Sequence, residues 1–598
     1  MQLEFHELST DVLVVGGGSA GAMAAIKAHT AGADVLVLTK GPWPSGNSTK
    51  ALAGFAAAFG HADPRDNPDI HFADVVRNGI GLCNQRLVRK WVDSICGLTE
   101  EMTGWGLNLI HSGDKYHQIP WEGHTYPRMV NHHRVTGKYL MKCLGERSEK
   151  LGIKALSHTI LGGLLESRGH IAGAWAFNYR TGLTNIIHCK AVIMTTGGLG
   201  AMFPVGDNVG AVTGEGYAIA YEAGAEMIGL EFGHYLPTPI FPETMRVKSV
   251  FVGFVNGLLN ESDARLYNGR GERFMLHHFP DQGERRHCSE ELSRHICMEI
   301  VEGRGGSHGG IYFDVSLVPD EFRNNERYRR MYELADRAGM DLRREPIELV
   351  TYPHDLVGGI KIDEWGRTNV PGLYAAGEAA GGSHGASRFG GSALSDCLVF
   401  GAASGIDAAS YSAKLKTSLP LRKNGVSAIR DKILGWISRE GVAPCEVLQQ
   451  TSDLAFHHLN MVRSKAGLVE ALSRAGVIEQ DALPRVSAKC ENTKDQFNRL
   501  RQAIEAEGQT RLCALIATAA LEREESRGGF FGGHYRTDYS QRDDTNWRKN
   551  VVLSKDGSGT RIRHEPPVVL EDLSGEIRSV IGTEWKAPED PRHWAESE

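Results

Sequence analysis

The chain has 598 residues, 41% hydrophobic and 23% charged, with a formal net charge of -7; that is the composition of a soluble globular protein with more than one core. The acidic balance supplies no clustered Lys/Arg excess for nucleic acid, and no apolar run is long enough to insert in a membrane, so neither is an expected partner. The ten cysteines form no CxxC pair, so neither a zinc ribbon nor an iron-sulfur cluster is encoded; most are expected as buried thiols. The N-terminal MQLEFHELST lacks a signal-peptide pattern, and the expected location is cytoplasmic.

The first element is DVLVVGGGSAGAMAAIKAHTAGADVLVLTK. Val12 to Val15 read as a buried parallel strand, Gly16, Gly18 and Gly21 supply GxGxxG, and a small-residue helix beginning near Ser19 and Ala20 precedes a second strand. The glycines allow a tight turn that brings backbone N–H groups against a pyrophosphate at the helix N-terminus. Thr39 and Lys40 stand where an acidic residue usually meets the ribose, which leaves NADP open. AVIMTTGGLGAMF is another strand, running into Thr196, Gly197 and Gly198, and VPGLYAAGEAAGG is a third, ending in Gly377 and Glu378.

Between the last two clusters, Phe241 to Glu345 is richer in charge and suits an inserted cap. Inside it, DQGERRHCSEELSRHICMEI places Arg285, Arg286, His287, Cys288 and Ser289 ahead of an expected helix. GGSALSD starts another helix, with Ser392 in its first turn. Leu421 to Glu524 carries helical periodicity. From Glu571 onward the polar composition reads as a loosely held tail.

The three glycine turns, together with SHGASRFGGSALSD, TYPHDLVGGIKID, NGRGERFM and ESRGGFFGGHYRTDYSQRDDTNW, resemble the flavoprotein subunit of succinate dehydrogenase and fumarate reductase. L-aspartate oxidase and the adenylylsulfate reductase flavoprotein belong to the same superfamily. The resemblance implies an α/β protein with FAD rather than NADP: a Rossmann-like FAD domain in two segments (1–240 and 351–420), an inserted capping domain (241–350), a helical domain (421–540) and a C-terminal tail (541–598). It also implies FAD contacts from Ser48, Thr49 and Gly54 in the loop after the second strand, and from Ser392, Ala393 and Leu394. His354 and Arg388 match positions that clamp a substrate carboxylate, a task suited to a guanidinium and an imidazole.

Several positions depart from that pattern. Asn47 takes the place of the histidine that attaches FAD covalently, so the flavin is expected to be noncovalent. Leu236 and Pro239 replace a histidine and a glycine of the dicarboxylate pocket, and Asn256 and Gly257 replace a Thr-Glu pair. The arginine that protonates the substrate carbon falls on Cys288 or Ser289. A loop shift could restore it through Arg286, and His234 could enter the pocket instead. The expected activity is hydride transfer between flavin N5 and an anionic organic substrate other than fumarate or succinate. The alternatives are a flavoprotein resembling adenylylsulfate reductase, an electron-transfer subunit docked to an iron-sulfur partner, and an L-aspartate oxidase-like or soluble fumarate reductase-like enzyme.

Overall fold

The computed structural model describes residues 4–133, 135–245, 252–285, 287–421, 423–529 and 532–583. The β-branched run Val12–Val15 is buried along its whole length, as a strand covered by helices on both faces must be. It is the middle of a five-stranded, wholly parallel sheet ordered Leu373–Ala375, Ala191–Met194, Val12–Val15, Val35–Leu38, Lys154–Leu156. Val192 pairs with Leu13 on one side and Leu373 on the other. The three strands that lead into glycine turns are therefore neighbours, and their carboxyl ends open on one edge, where such sheets bind ligands.

The helix Ser19–Thr30 packs on the long helix Ser392–Ala413. A Cβ at Gly401 would lie 2.5 Å from the Ala20 carbonyl oxygen, and one at Gly405 would overlap that of Ala24. Small residues thus set how closely the two backbones approach.

A second, mixed sheet runs Arg265–Tyr267, Ile311–Asp314, Ile347–Leu356, Gly233–Phe241, Gly532–Arg536, Val462–Arg463. Its cap side has its own core, built from Leu258, Leu266, Phe274, Leu292, Phe313 and Tyr328. The strands Gly233–Phe241 and Ile347–Leu356 cross the positions 240/241 and 350/351, so cap and FAD segments share one sheet. Helices Lys423–Ser438, Pro444–His458, Lys465–Val477 and Thr493–Glu522 follow.

The hairpin Asn550–Asp556 and Gly559–Glu565 then pairs back onto Met227–Ile228. The helix Gly575–Gly582 lies where a loose tail is expected, and it buries Ile577 in the main core. Leu573, Val580 and Ile581 pack partly buried against the same core, a spacing of three to four residues that the polar composition of the tail masks. The APEDPRHW stretch lies outside the described residues. The ten cysteines are unpaired, five buried, four half-buried and Cys445 exposed, so burial covers half of them rather than most. Among the described residues no helix is long and apolar enough to cross a membrane.

Candidate active site

Gly16 has φ +130°, and a Cβ there would overlap the Thr195 carbonyl, so the first turn admits only glycine. The helix beyond it has Gly18 at its N-cap, without a side-chain cap or an acidic residue in the first turn. Ser19 N–H donates to Ser48 Oγ at 3.1 Å and the two hydroxyls lie 2.9 Å apart, which brings the Asn47–Lys50 turn onto the fingerprint. Thr49 Oγ1 donates to the Gly46 carbonyl, and Gly54, at φ +129°, sits against Val130.

A Cβ at Gly198 would overlap the Glu378 carboxyl, and Gly377 packs beside Ala20, so all three glycine turns meet. Burial, then the charge of Asp355, pushes Glu378 up to about 8. Gly391 caps the helix carrying Ser392, Ala393 and Leu394 without a side-chain bond. Ser392 Oγ and Thr196 Oγ1 are buried and have no hydrogen-bond partner among the described residues. A glycine-lined edge with two uncapped helix starts and two unmatched hydroxyls fits an anionic dinucleotide such as FAD. Thr39 is buried beside Gly17. The Lys40 ammonium is directed to Glu215 at 2.7 Å, Glu505 at 3.1 Å and Thr213 at 2.5 Å.

The neighbouring corner is built on the paired strands Gly233–Phe241 and Ile347–Leu356. Their register shifts so that His234 lies opposite Asp355 and Tyr235 opposite Pro353, leaving His354 as the extra residue of a β-bulge. Arg388, in the loop before Ser392, is buried, with Nε 2.7 Å from Asp355 Oδ2 and Nη2 2.8 Å from His234 Nδ1. His234 Nδ1 also lies 2.9 Å from Asp355 Oδ1.

A guanidinium only donates, so the Arg388 contact is a hydrogen bond for the His234 tautomer with Nδ1 unprotonated. Burial pulls His234 down to about 4, and it is neutral. Burial raises Asp355, but the charge of Arg388 outweighs it and holds the carboxyl well below its usual range.

His354 stands edge-on to His234, ring centroids 5.1 Å apart, with its Nδ1 3.0 Å from Asp207 Oδ2. Burial pulls this imidazole down, yet the charge of Asp207 and the bond to it leave it raised. A third of its side chain is exposed, so it is the open group of the corner. Asn208 Nδ2 donates to the His354 carbonyl at 3.0 Å. Asn47 donates to Asn208 Oδ1 and accepts Val209 N–H at 2.8 Å, joining this corner to the loop after the second strand.

His354, Arg388 and His234 are thus brought together, and Arg388 is paired with Asp355. Asp396, on the helix that follows Arg388, accepts instead from Ser383 Oγ at 3.0 Å. Alternation puts Leu236 on the His234 face, buried, and Tyr235 on the other, where its hydroxyl accepts from Arg463 Nη2 at 2.9 Å. Asn256 is buried in the cap helix Val252–Glu261.

Arg286 lies outside the described residues. Its neighbours are engaged: Arg285 pairs with Asp263 at 2.8 Å, and His287 lies 2.7 Å from the Gly283 carbonyl. Cys288 is the N-cap of the helix Ser289–Val301, and burial pushes its thiol well above the ordinary value. Sequence reasoning missed Asp355, Asp207 and Asn208. Asp355 adjoins His354, but strand alternation sends adjacent residues to opposite faces, so its role is visible only with the bulge.

A family model described as an FAD binding domain matches residues 11–394, and one described as fumarate reductase flavoprotein C-term matches residues 449–580. The chain is 33% identical to a fumarate reductase (CoM/CoB) subunit of Methanothermobacter marburgensis, over 93% of this chain and 98% of that protein. It is 28% identical to the L-aspartate oxidase of Streptomyces coelicolor, over 91% of each. Among solved structures, Mycobacterium smegmatis Sdh1 in complex with UQ1 matches with a TM-score of 0.85 and 28% identity, over 94% of this chain and 95% of that one.

Proposed function

The chain belongs to the FAD-dependent flavoprotein family of fumarate reductases, succinate dehydrogenases and L-aspartate oxidases, and we propose that it oxidises or reduces an anionic organic substrate other than fumarate or succinate. The observation that carries this reading is His354, its imidazole raised by the charge of Asp207 and open to the corner beside Arg388. Bound FAD supplies hydride chemistry at N5. His354 Nε2 is the group that receives the substrate anion and can hold a proton for it. Leu236, buried on the same sheet face, offers no polar anchor there, which suits a less polar substrate than a four-carbon diacid.

Asn47, with its amide engaged at both ends, supports noncovalent flavin. The unpaired cysteines suit a reducing, cytoplasmic compartment. Electrons enter or leave through a diffusible carrier or a partner such as an iron-sulfur protein; the Methanothermobacter relative is itself named as one subunit of its enzyme. That same name supports a second reading, a fumarate reductase.

The readings separate in one anaerobic experiment, in which the reduced protein is mixed with monoanionic enoates, enones, adenylylsulfate or fumarate and flavin reoxidation is followed. Reoxidation by a monoanionic acceptor and not by fumarate is expected. Rapid reoxidation by fumarate would replace the first reading with the second. Acid precipitation of the same sample should leave the yellow colour in solution.

A further inference from the structure

Arg388 is the obvious grip for a carboxylate, yet its donors are already engaged. A guanidinium has five N–H groups, and it holds a carboxylate bidentately along the Nε/Nη2 edge or across the Nη1/Nη2 end. Here Nε donates to Asp355 Oδ2 at 2.7 Å and Nη2 reaches Asp355 Oδ1 at 3.4 Å, so Asp355 lies along the first edge. The second Nη2 hydrogen goes to His234 Nδ1 at 2.8 Å, and Nη1 donates to the Phe389 carbonyl at 3.3 Å. Among the described residues, one Nη1 hydrogen is left, enough for a single bond and for neither bidentate grip.

The pair is also held in place. Arg388 and Asp355 are both buried, Asp355 is fixed opposite His234 by the strand register, and separating the two would leave a buried carboxylate without its cation. His354 and Asp207 form the other matched pair, but His354 keeps a third of its side chain exposed. An incoming anion therefore meets one receptive group rather than two.

We propose that Asp355 is a specificity-determining residue: a built-in carboxylate that fills the grip of Arg388 and excludes dicarboxylates, so that the substrate carries one anionic group, received by His354. This rests on the reading of the corner as the substrate site. It predicts that the arginine becomes a carboxylate receptor only when the charge of Asp355 is removed.

The test is calorimetric titration of the oxidised, FAD-loaded protein with crotonate and with fumarate, which differ by one carboxylate. The wild type should bind fumarate no more tightly than crotonate. Asp355→Asn, which keeps the shape and removes the charge, should tighten fumarate binding by about tenfold or more, the effect of one charge-assisted hydrogen bond, and leave crotonate little changed. Asp355→Glu should keep the wild-type preference, whereas a merely structural role would make both variants lose ligand and FAD alike.

A wild type that prefers fumarate by about tenfold overturns the proposal whatever the variants do. So does an Asp355→Asn protein that retains FAD and gains nothing for fumarate. Binding needs no turnover, so failure of the reduced protein to pass electrons to any acid would sink the functional reading and leave this result standing.

Discussion

At the scale of single residues, the corner depends on how burial and a close charge compete. Burial, with the charge of Arg388 beside it, keeps His234 neutral although the Asp355 carboxylate lies 2.9 Å away; at His354 the charge of Asp207 at 3.0 Å outweighs burial. Because the folded value of His354 is raised, the pair stabilises the protein fully below the ordinary imidazole value near about 6.5, and this is lost as pH rises through the raised value. Under the proposed reading, anion binding is expected to follow the same course, strong while His354 is protonated and weakening as pH rises. Other charged or titratable groups near the ring are Arg388, Asp355, His234 and Glu378. Asp207→Asn should shift the loss of anion affinity to lower pH by about 1–3 units, as expected for removing a close opposite charge. A pH series of crotonate titrations reads this directly. An unshifted profile would show that Asp207 does not set the charge of His354.

Within elements, two backbone devices place the site. The β-bulge at His354 turns His354 and Asp355, neighbours in sequence, toward one corner. The close approach of the helices Ser19–Thr30 and Ser392–Ala413 sets where both uncapped helix starts lie, and it depends on Gly401 lying against the Ala20 carbonyl. Gly401→Val should push the helices apart and cost about 1–3 kcal/mol, the usual effect of overpacking. Flavin content per polypeptide and thermal midpoint should both fall. Gly210→Ala, where an added Cβ meets nothing, should alter neither. Full flavin content in the valine variant would show that this contact does not position the site. The fingerprint, the two later glycine turns and the start of the Ser392 helix were legible because each is a local run with its own turn chemistry. The bulge was not, because it exists only relative to the partner strand.

Across the whole molecule, a buried ion network ties the segments together. Arg523, fully buried, donates from Nε to Glu231 at 2.8 Å, from Nη1 to Glu525 at 2.8 Å and from Nη2 to the Lys549 carbonyl at 2.8 Å. Arg463 of the helical region donates to the Glu231 carbonyl at 2.6 Å and to Tyr235 on the strand that carries His234. The C-terminal third thus braces the back of the strand whose other face forms the corner. Arg523→Met leaves Glu231 and Glu525 buried with one cation fewer, and should cost about 3–5 kcal/mol. The urea midpoint should drop, and adding Glu231→Gln should restore part of the loss. A midpoint like that of the wild type would show that the network contributes little.

The sequence by itself determined the parallel sheet, its glycine turns, the inserted cap, the helical region and the cofactor, because strand runs, turn residues and helix starts act over a few positions. It also brought out His354, Arg388 and the apolar Leu236. Only the tertiary structure decided which partners those residues have. Asp355 and Asp207 reach their partners across strand pairing and loop packing, at separations of 33 and 147 residues. Whether a buried arginine or histidine is free to take a ligand depends on which carboxylate the fold has set beside it.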